Sequence, residues 1–265
     1  CLNAPMSWMH KIIYLLLAYL LPLSIAQAVE FDAQVERVLW RYQEQANGVA
    51  GFNQLPSKAN GSGALLKLRL SSERDQDWFF AVSAALMDSS SSAAEAWNNG
   101  QVNDLSMQQQ DVRLDVQYRM LGARFGVWLA QREQRQTREK FVLNGVAIAV
   151  AGEPIDEVVT SQWAGLSLTS VGGNMGQFET RIDAALALDM QVTNPLFAAP
   201  YSKKDGYRTG IHFRWTLPKS EVGVSGLNIT LRYEYQEIGG ENTVNNGFWP
   251  YNRWQMASMG LMYAW

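Results

Sequence analysis

The segment Asp111-Val112-Arg113-Leu114-Asp115-Val116-Gln117-Tyr118-Arg119-Met120 decides the fold. Each even-numbered residue is apolar and each odd-numbered one is polar or charged. Successive side chains of a β-strand point to opposite faces, so this stretch is a strand with one apolar and one ionic face. The same period returns in Phe178-Glu179-Thr180-Arg181-Ile182-Asp183-Ala184-Ala185-Leu186-Ala187-Leu188-Asp189-Met190. It recurs over 207–215 and 227–235, and over 64–70, where Lys67 and Arg69 oppose Leu66, Leu68 and Leu70. A soluble sheet can show such a pattern once or twice. Its repetition with ionic partners points to a closed sheet whose outside is apolar and whose inside is charged.

Working outward from these segments, the period of two predicts ten strands, near 31–44, 61–72, 76–88, 110–121 and 123–134, then 160–171, 176–190, 206–218, 226–238 and 252–265. The long segments match the roughly 9–11 residues that a tilted strand needs to cross a bilayer. The first strand changes character near Glu36, which predicts a bulge there. Links after even-numbered strands are short, at 73–75, Gly122, 172–175 and 219–225. Links after odd-numbered strands are long, at 45–60, 89–109, 135–159, 191–205 and 239–251. An even strand count with alternating short and long links is the pattern of a transmembrane antiparallel up-and-down β-barrel with short periplasmic turns and long external loops. Within the link at 135–159, Asn144-Gly145 stands between apolar runs and predicts a hairpin, so the flanking strands are expected to continue as a ribbon above the membrane.

Composition agrees. Hydrophobic residues make up 47% of the 265 and charged residues 18%, and mean hydropathy is -0.17. Alternation cancels in such an average, so a barrel hides its membrane character in pattern. The 22 basic residues against 25 acidic ones give no support to nucleic-acid binding. The apolar run over 12–21 follows a basic start at 6–11 and precedes Ala26-Gln27-Ala28, the form of a cleaved secretory signal. The expected division is therefore residues 1–5 upstream, 6–28 signal peptide and 29–265 barrel. The barrel segment then has no cysteine, which excludes disulfides and thiol chemistry from it.

The end of the chain, Met259-Gly260-Leu261-Met262-Tyr263-Ala264-Trp265, resembles the C-terminal assembly signal of Gram-negative outer-membrane barrel proteins. That resemblance implies that Leu261, Tyr263 and Trp265 are read by the barrel-assembly machinery. It also implies an outer-membrane location with both termini periplasmic, and outer-membrane lipids and lipopolysaccharide as partners. Omptin proteases resemble the chain in strand count and size, but their site uses an Asp pair and an Asp–His pair near the outer rim. Here His212 is the only histidine after residue 28, and it falls in mid-strand. The His–Ser spacing of small-barrel lipid A deacylases is also missing, since Phe213-Arg214 follows His212.

Parity places ten cations inside: Lys67, Arg69, Arg113, Arg119, Arg124, Arg181, Arg208, Arg214, Arg232 and Arg253. The expected inward acids are Asp111, Asp115, Glu179, Asp183, Asp189 and Glu234. An Arg or Lys facing hydrocarbon near the midplane costs about 2–4 kcal/mol, which makes parity a strong constraint. Arg113, Asp115, Arg181, Asp183, His212, Arg214, Arg232 and Glu234 form the expected lumen cluster. Such a cluster serves either as a cross-linked plug or as the lining of a narrow anion-preferring passage. A His212–Asp183 pair serves equally as a buried hydrogen bond or as part of a hydrolase site, although no nucleophile can be placed beside it. No cofactor is expected, and one histidine without cysteine gives no metal site. Trp78, Phe80, Tyr118, Phe125, Trp215, Tyr263 and Trp265 are expected in one aromatic girdle, and Tyr42, Tyr207 and Tyr235 in the other. The function expected from the residues is a non-catalytic structural or surface-interaction barrel or a small-solute channel, with an outer-membrane hydrolase as the alternative.

Overall fold

The computed structural model describes residues 29–45, 56–72, 76–89, 91–172, 178–195, 201–203, 205–239, 241–243, 247–249 and 251–265. The upstream and signal-peptide assignments at 1–28, and the links at 46–55 and 73–75, lie outside the described residues. Ten antiparallel staves close into a barrel. They are β1 (Val29–Gln45), β2 (Ser57–Ser72), β3 (Trp78–Ser89) continued by β4 (Ala93–Trp97), β5 (Gln101–Met120) and β6 (Ala123–Leu143). The two-residue β7 (Val146–Ala147) folds back on β6, and β8 (Ile155–Gly172) and β9 (Phe178–Thr193) follow. Next come β10 (Tyr201–Lys203) with β11 (Gly206–Thr216), a one-turn helix α1 (Lys219–Val222), β12 (Leu227–Ile238), and the ribbon β13 (Glu241–Thr243) and β14 (Gly247–Trp249). Finally β15 (Tyr251–Ala264) lies between β12 and β1 and closes the sheet.

Closure is staggered. A line of paired residues leaving Glu30 and crossing each stave returns to β1 at Tyr42, twelve residues further on. A stagger of this size tilts the strands by roughly 35–45° and leaves a lumen little wider than that of a side-chain-filled eight-stranded barrel.

Outward positions near the turn end are apolar and bare: Val35, Leu66, Leu129, Leu166, Leu186 and Leu261 all project with no protein above them. Trp78, Phe80, Tyr118, Phe125, Phe178 and Trp265 rim that belt at the turn end. Towards the loop end the outward face of the long strands β5 and β6 changes to Gln108, Gln110, Gln131, Glu133 and Arg135. The barrel therefore continues past the apolar belt as a water-facing extension. This corrects two expected loops. Most of 89–109 is strand, as β4, a turn at Asn98-Asn99-Gly100 and the upper half of β5. Most of 135–159 is the top of β6, the Asn144-Gly145 hairpin and the start of β8. The expected ribbon is present, paired from Arg138↔Ile155 downward.

Five further expectations change. The register of β1 against β2 and β15 runs through Glu36 without a bulge. The change of character there is internal, from the buried ionic Asp32 and Glu36 to the buried Val38, Trp40 and Tyr42. Tyr42 thus faces inward, not towards an outer girdle. A bulge lies instead in β9, where Gln162 pairs with Asp189 but Trp163 pairs with Ala187. It shifts the buried row from Asp183, Ala185 and Ala187 to Met190, Val192 and Asn194, so Asp189 leaves the interior. On β15 the buried residues are Asn252, Trp254, Met256, Ser258 and Met262, which turns Arg253 outward against Glu237 at 3.3 Å. Arg119 is exposed at the turn-end mouth.

Two glycines make room for inward indoles. An added Cβ at Gly61 would fall 2.2 Å from the Trp40 ring, and one at Gly165 would fall 2.4 Å from the Trp128 ring. Both tryptophans are buried, and Trp128 donates to the Leu166 carbonyl at 3.1 Å.

Parity is directly measurable because the barrel segment has no native cysteine. Fluorophores on single cysteines at 114, 182 and 229 should be quenched by lipid-soluble quenchers, while those at 113, 181 and 232 should not. Quenching of the second set would place the ionic row in hydrocarbon and refute the register.

Candidate functional site

The inward charges form stacked tiers, each joined by arginines that reach across the lumen. Nearest the turn end, Arg69 donates to Asp32 at 2.6 Å, while Arg124 and Arg214 share Glu179 at 2.8 and 2.9 Å. In the next tier Arg113 of β5 grips Asp183 of β9 with two parallel bonds of 2.8 and 3.1 Å, and also donates to Asp115. Arg181 joins the same two carboxylates, donating to Asp183 at 2.9 Å and to Asp115. The His212 Nε2 lies 3.2 Å from Asp183. The Arg113 guanidinium also rests 3.9 Å above the Trp128 ring, a favourable cation–π placement.

One level up, Asp111 accepts from Arg132 at 2.7 Å and from Arg208 at 2.9 Å. Glu234 accepts from Arg132, Arg208 and Arg232. Arg132 is fully buried and completes its bonds on Gln236 at 2.8 Å. These contacts join β5 to β11 and β6 to β12, staves that are not neighbours in the sheet. Bidentate and shared Arg–carboxylate bonds satisfy the donors and acceptors that burial strips of water.

The structure thus brings Arg113, Asp115, Arg181, Asp183 and His212 into one tier. Arg214 belongs to the Glu179 pair below it, and Arg232 and Glu234 to the tier above. Sequence reasoning missed Arg132, although it lies within the predicted strand at 123–134, because residues 131–134 are polar on both faces and give parity no apolar side to be set against. It also missed Asp32 and Glu36, the latter held by Thr230 at 3.0 Å and Ser258 at 2.6 Å.

A further tier at the loop end was missed altogether. Arg138 donates to Glu95 at 2.7 Å and to Glu44, and lies 3.7 Å from Glu157. Tyr42 donates to Asn252 at 3.0 Å, and Asn194 donates to Glu157 at 3.1 Å. The outward neighbours of this tier are Lys58, Asn60, Arg135 and Asp156, so it stands above the apolar belt. One guanidinium here serves three buried carboxylates, which cannot all ionise cheaply. Although burial works against it, the charge of Arg138 holds Glu95 below its ordinary range. Burial, with Glu44 and Glu95 nearby, pushes Glu157 up to about 7 against the pull of Arg138 and Asn194. Burial and the charge of Glu95 also raise Glu44.

Among the described residues, His212 has Asp183 as its hydrogen-bonded partner, inside a wall of arginines. No group of three or more described His, Cys, Asp or Glu residues could hold a metal ion. Leu261 and Trp265 are exposed on the outward face at the barrel seam, where Leu261 pairs with Val35 and Tyr263 with Ala33.

No family model matches the chain, and no curated protein matches it in sequence. Solved structures do match in fold. The outer membrane protease OmpT of Escherichia coli superposes with a TM-score of 0.57 at 9% identity, covering 89% of this chain and 96% of that one. The translocator domain of the autotransporter NalP from Neisseria meningitidis covers 96% of each chain at 8% identity and a TM-score of 0.44. The attachment invasion locus protein Ail of Yersinia pestis covers 89% of this chain and 99% of its own at 10% identity and a TM-score of 0.34. The chain has the fold of Gram-negative outer-membrane β-barrels.

The loop-end tier predicts a pH dependence. Because the folded value of Glu157 lies above its ordinary 4.5, the folded state holds an extra proton between the two values, and that stabilisation is lost as pH rises through the window. Amide exchange over 155–159 should quicken from about pH 5 to pH 8, beyond the intrinsic base-catalysed rise. Glu157→Gln should flatten that dependence. An equal pH response in the variant would show that Glu157 does not hold the proton.

Proposed function

We propose that the chain is an integral outer-membrane barrel with its turn end and both termini at the periplasm. Its lumen is closed, and it acts without catalysis as a rigid structural or surface-interaction barrel. The observation that carries this reading is the tiered arginine–carboxylate network, which spans the lumen through much of its described length. The water-facing extension of β5, β6 and β8 supports a role for the loop end at the cell surface, since strands longer than a bilayer requires hold their tips away from the membrane. His212 is hydrogen-bonded to Asp183 among the arginines of the network, which favours a hydrogen-bonding role over a hydrolytic one.

Two partners accompany the proposal. The exposed terminal row of Leu261 and Trp265, with Tyr263 between them, suits recognition by the barrel-assembly machinery. Outward-facing Arg37, Arg41 and Lys58 on adjacent strands suit the phosphates of lipopolysaccharide, for they are exposed and make no ion pair among the described residues. The second reading, a narrow anion-preferring passage, draws on the cationic excess around the turn-end cavity. Conductance separates the two. Purified protein in planar bilayers should give no steady pore, and Arg132→Ala, which removes the central cross-link, should raise the leak. A steady anion-selective conductance from the unaltered protein would overturn the closed-lumen proposal in favour of transport.

A further inference from the structure

The closed-lumen reading leaves one part of the interior unexplained. A cavity of about 70 Å³ lies between the two lower tiers. A single enclosed water needs roughly 10–15 Å³ by the same measure, so the space admits a small ion with several waters. Its lining carries six cations, Lys67, Arg69, Arg113, Arg181, Arg214 and Arg232, against five carboxylates. One of those five, Glu179, is shared with Arg124 as well. The balance is therefore positive inside the lumen, where an uncompensated charge is more costly than at an open surface.

The excess can be located. Lys67 projects from β2 into the cavity and makes no hydrogen bond or ion pair among the described residues. The charges acting on it most strongly are those of Arg232, Arg69 and Arg113, with Asp115 opposing them. Arg232 is more than nine-tenths buried, and its Nε–H has no acceptor among the described residues. The carboxylate it does contact, Glu234, is already divided among three arginines. Glu36 lies close by, where its charge acts on Arg232 and Lys67, but its oxygens accept from Thr230 and Ser258 and make no direct ion pair with either cation. Lys67 and Arg232 thus line the same cavity, the first making no ion pair and the second keeping an Nε–H without an acceptor, in the manner of a site built for an acceptor that the chain does not supply.

We propose that this cavity is a binding site for a small inorganic anion of the halide class, held by the Lys67 ammonium and the Arg232 Nε–H. The anion serves as a resident counter-ion that completes the charge balance of the lower tiers. The inference extends the closed-lumen reading: the ion is trapped as part of the plug, and does not pass through it. It also gives a reason for Lys67, the one lysine in a network otherwise built of arginine. A flexible ammonium with three donors suits a spherical ion, whereas the planar guanidinium fork suits carboxylates.

Bromide tests this directly, because it scatters anomalously and replaces chloride. Crystals of the intact barrel soaked in sodium bromide should show an anomalous peak within hydrogen-bonding distance of Lys67 Nζ and Arg232 Nε. Lys67→Met, close in volume but uncharged, should lose the peak, and Lys67→Arg should keep it. In detergent solution, the bromide concentration giving half-maximal thermal stabilisation, at constant ionic strength with gluconate, should rise by about tenfold in Lys67→Met. Absence of the peak from the unaltered protein, with bromide seen only on loops and surfaces, would overturn the site. A stabilisation that is the same in Lys67→Met would overturn it independently of crystals. Neither result bears on conductance: a silent barrel without bromide loses only the site, and a conducting barrel with bromide loses only the closed lumen.

Discussion

Hydrocarbon cannot hydrate a charge, and everything else in this barrel follows from that. Staves with a bare apolar outer face must turn their ionic residues inward, into the narrow lumen that ten staves enclose. There most charges are answered by another side chain. Arginine dominates because its fork reaches two acceptors at once, as Arg113 does with Asp183 and Asp115, and Arg132 with Asp111 and Glu234. The outcome is a lumen whose contents are mostly cross-links. Above the apolar belt the constraint relaxes. The outward face can be polar, the interior holds Trp40, Tyr42, Leu105, Trp254 and Met256, and a single arginine with three carboxylates replaces the dense pairing below.

That difference also explains how much the sequence revealed. Within the belt, where one face must be apolar and the other ionic, alternation identified each stave and assigned Arg113, Asp115, Arg181, Asp183, Arg208, Arg214, Arg232 and Glu234 to the interior. Above the belt the contrast fails. Gln108, Gln110, Gln131 and Glu133 face water while Gln109, Gln134 and Gln136 face inward, so both faces read as polar and the predicted strands stop short, near 110 and 134. On β15 the ambiguity is reversed, since Trp254 and Met256 are apolar but buried, and their parity moves Arg253 outward. Asp189 was misplaced for a third reason. A one-residue bulge flips all later positions of a strand, and β9 carries no glycine or proline to announce it.

The site itself was legible only as a population of charges. Periodicity says which side of the wall a residue occupies, but not which residue across the lumen it meets. Arg113 and Asp183 are seventy positions apart, and Arg132 and Glu234 are more than a hundred apart. These contacts depend on closure and stagger, which no single strand encodes. The likeness to OmpT extends to fold at 9% identity, and the function proposed here rests on the chain's own residues.

The central claim is that cross-lumen ion pairs hold the staves together as one closed unit. A double-mutant cycle on Arg113→Met and Asp183→Asn, read as unfolding free energy in lipid, tests it most directly. The account predicts a coupling of about 2 kcal/mol or more, because the pair is bidentate and desolvated. A coupling indistinguishable from zero would mean that the two residues do not depend on each other. The tiers would then be a coincidence of packing, and no longer the constraint on which the barrel is built.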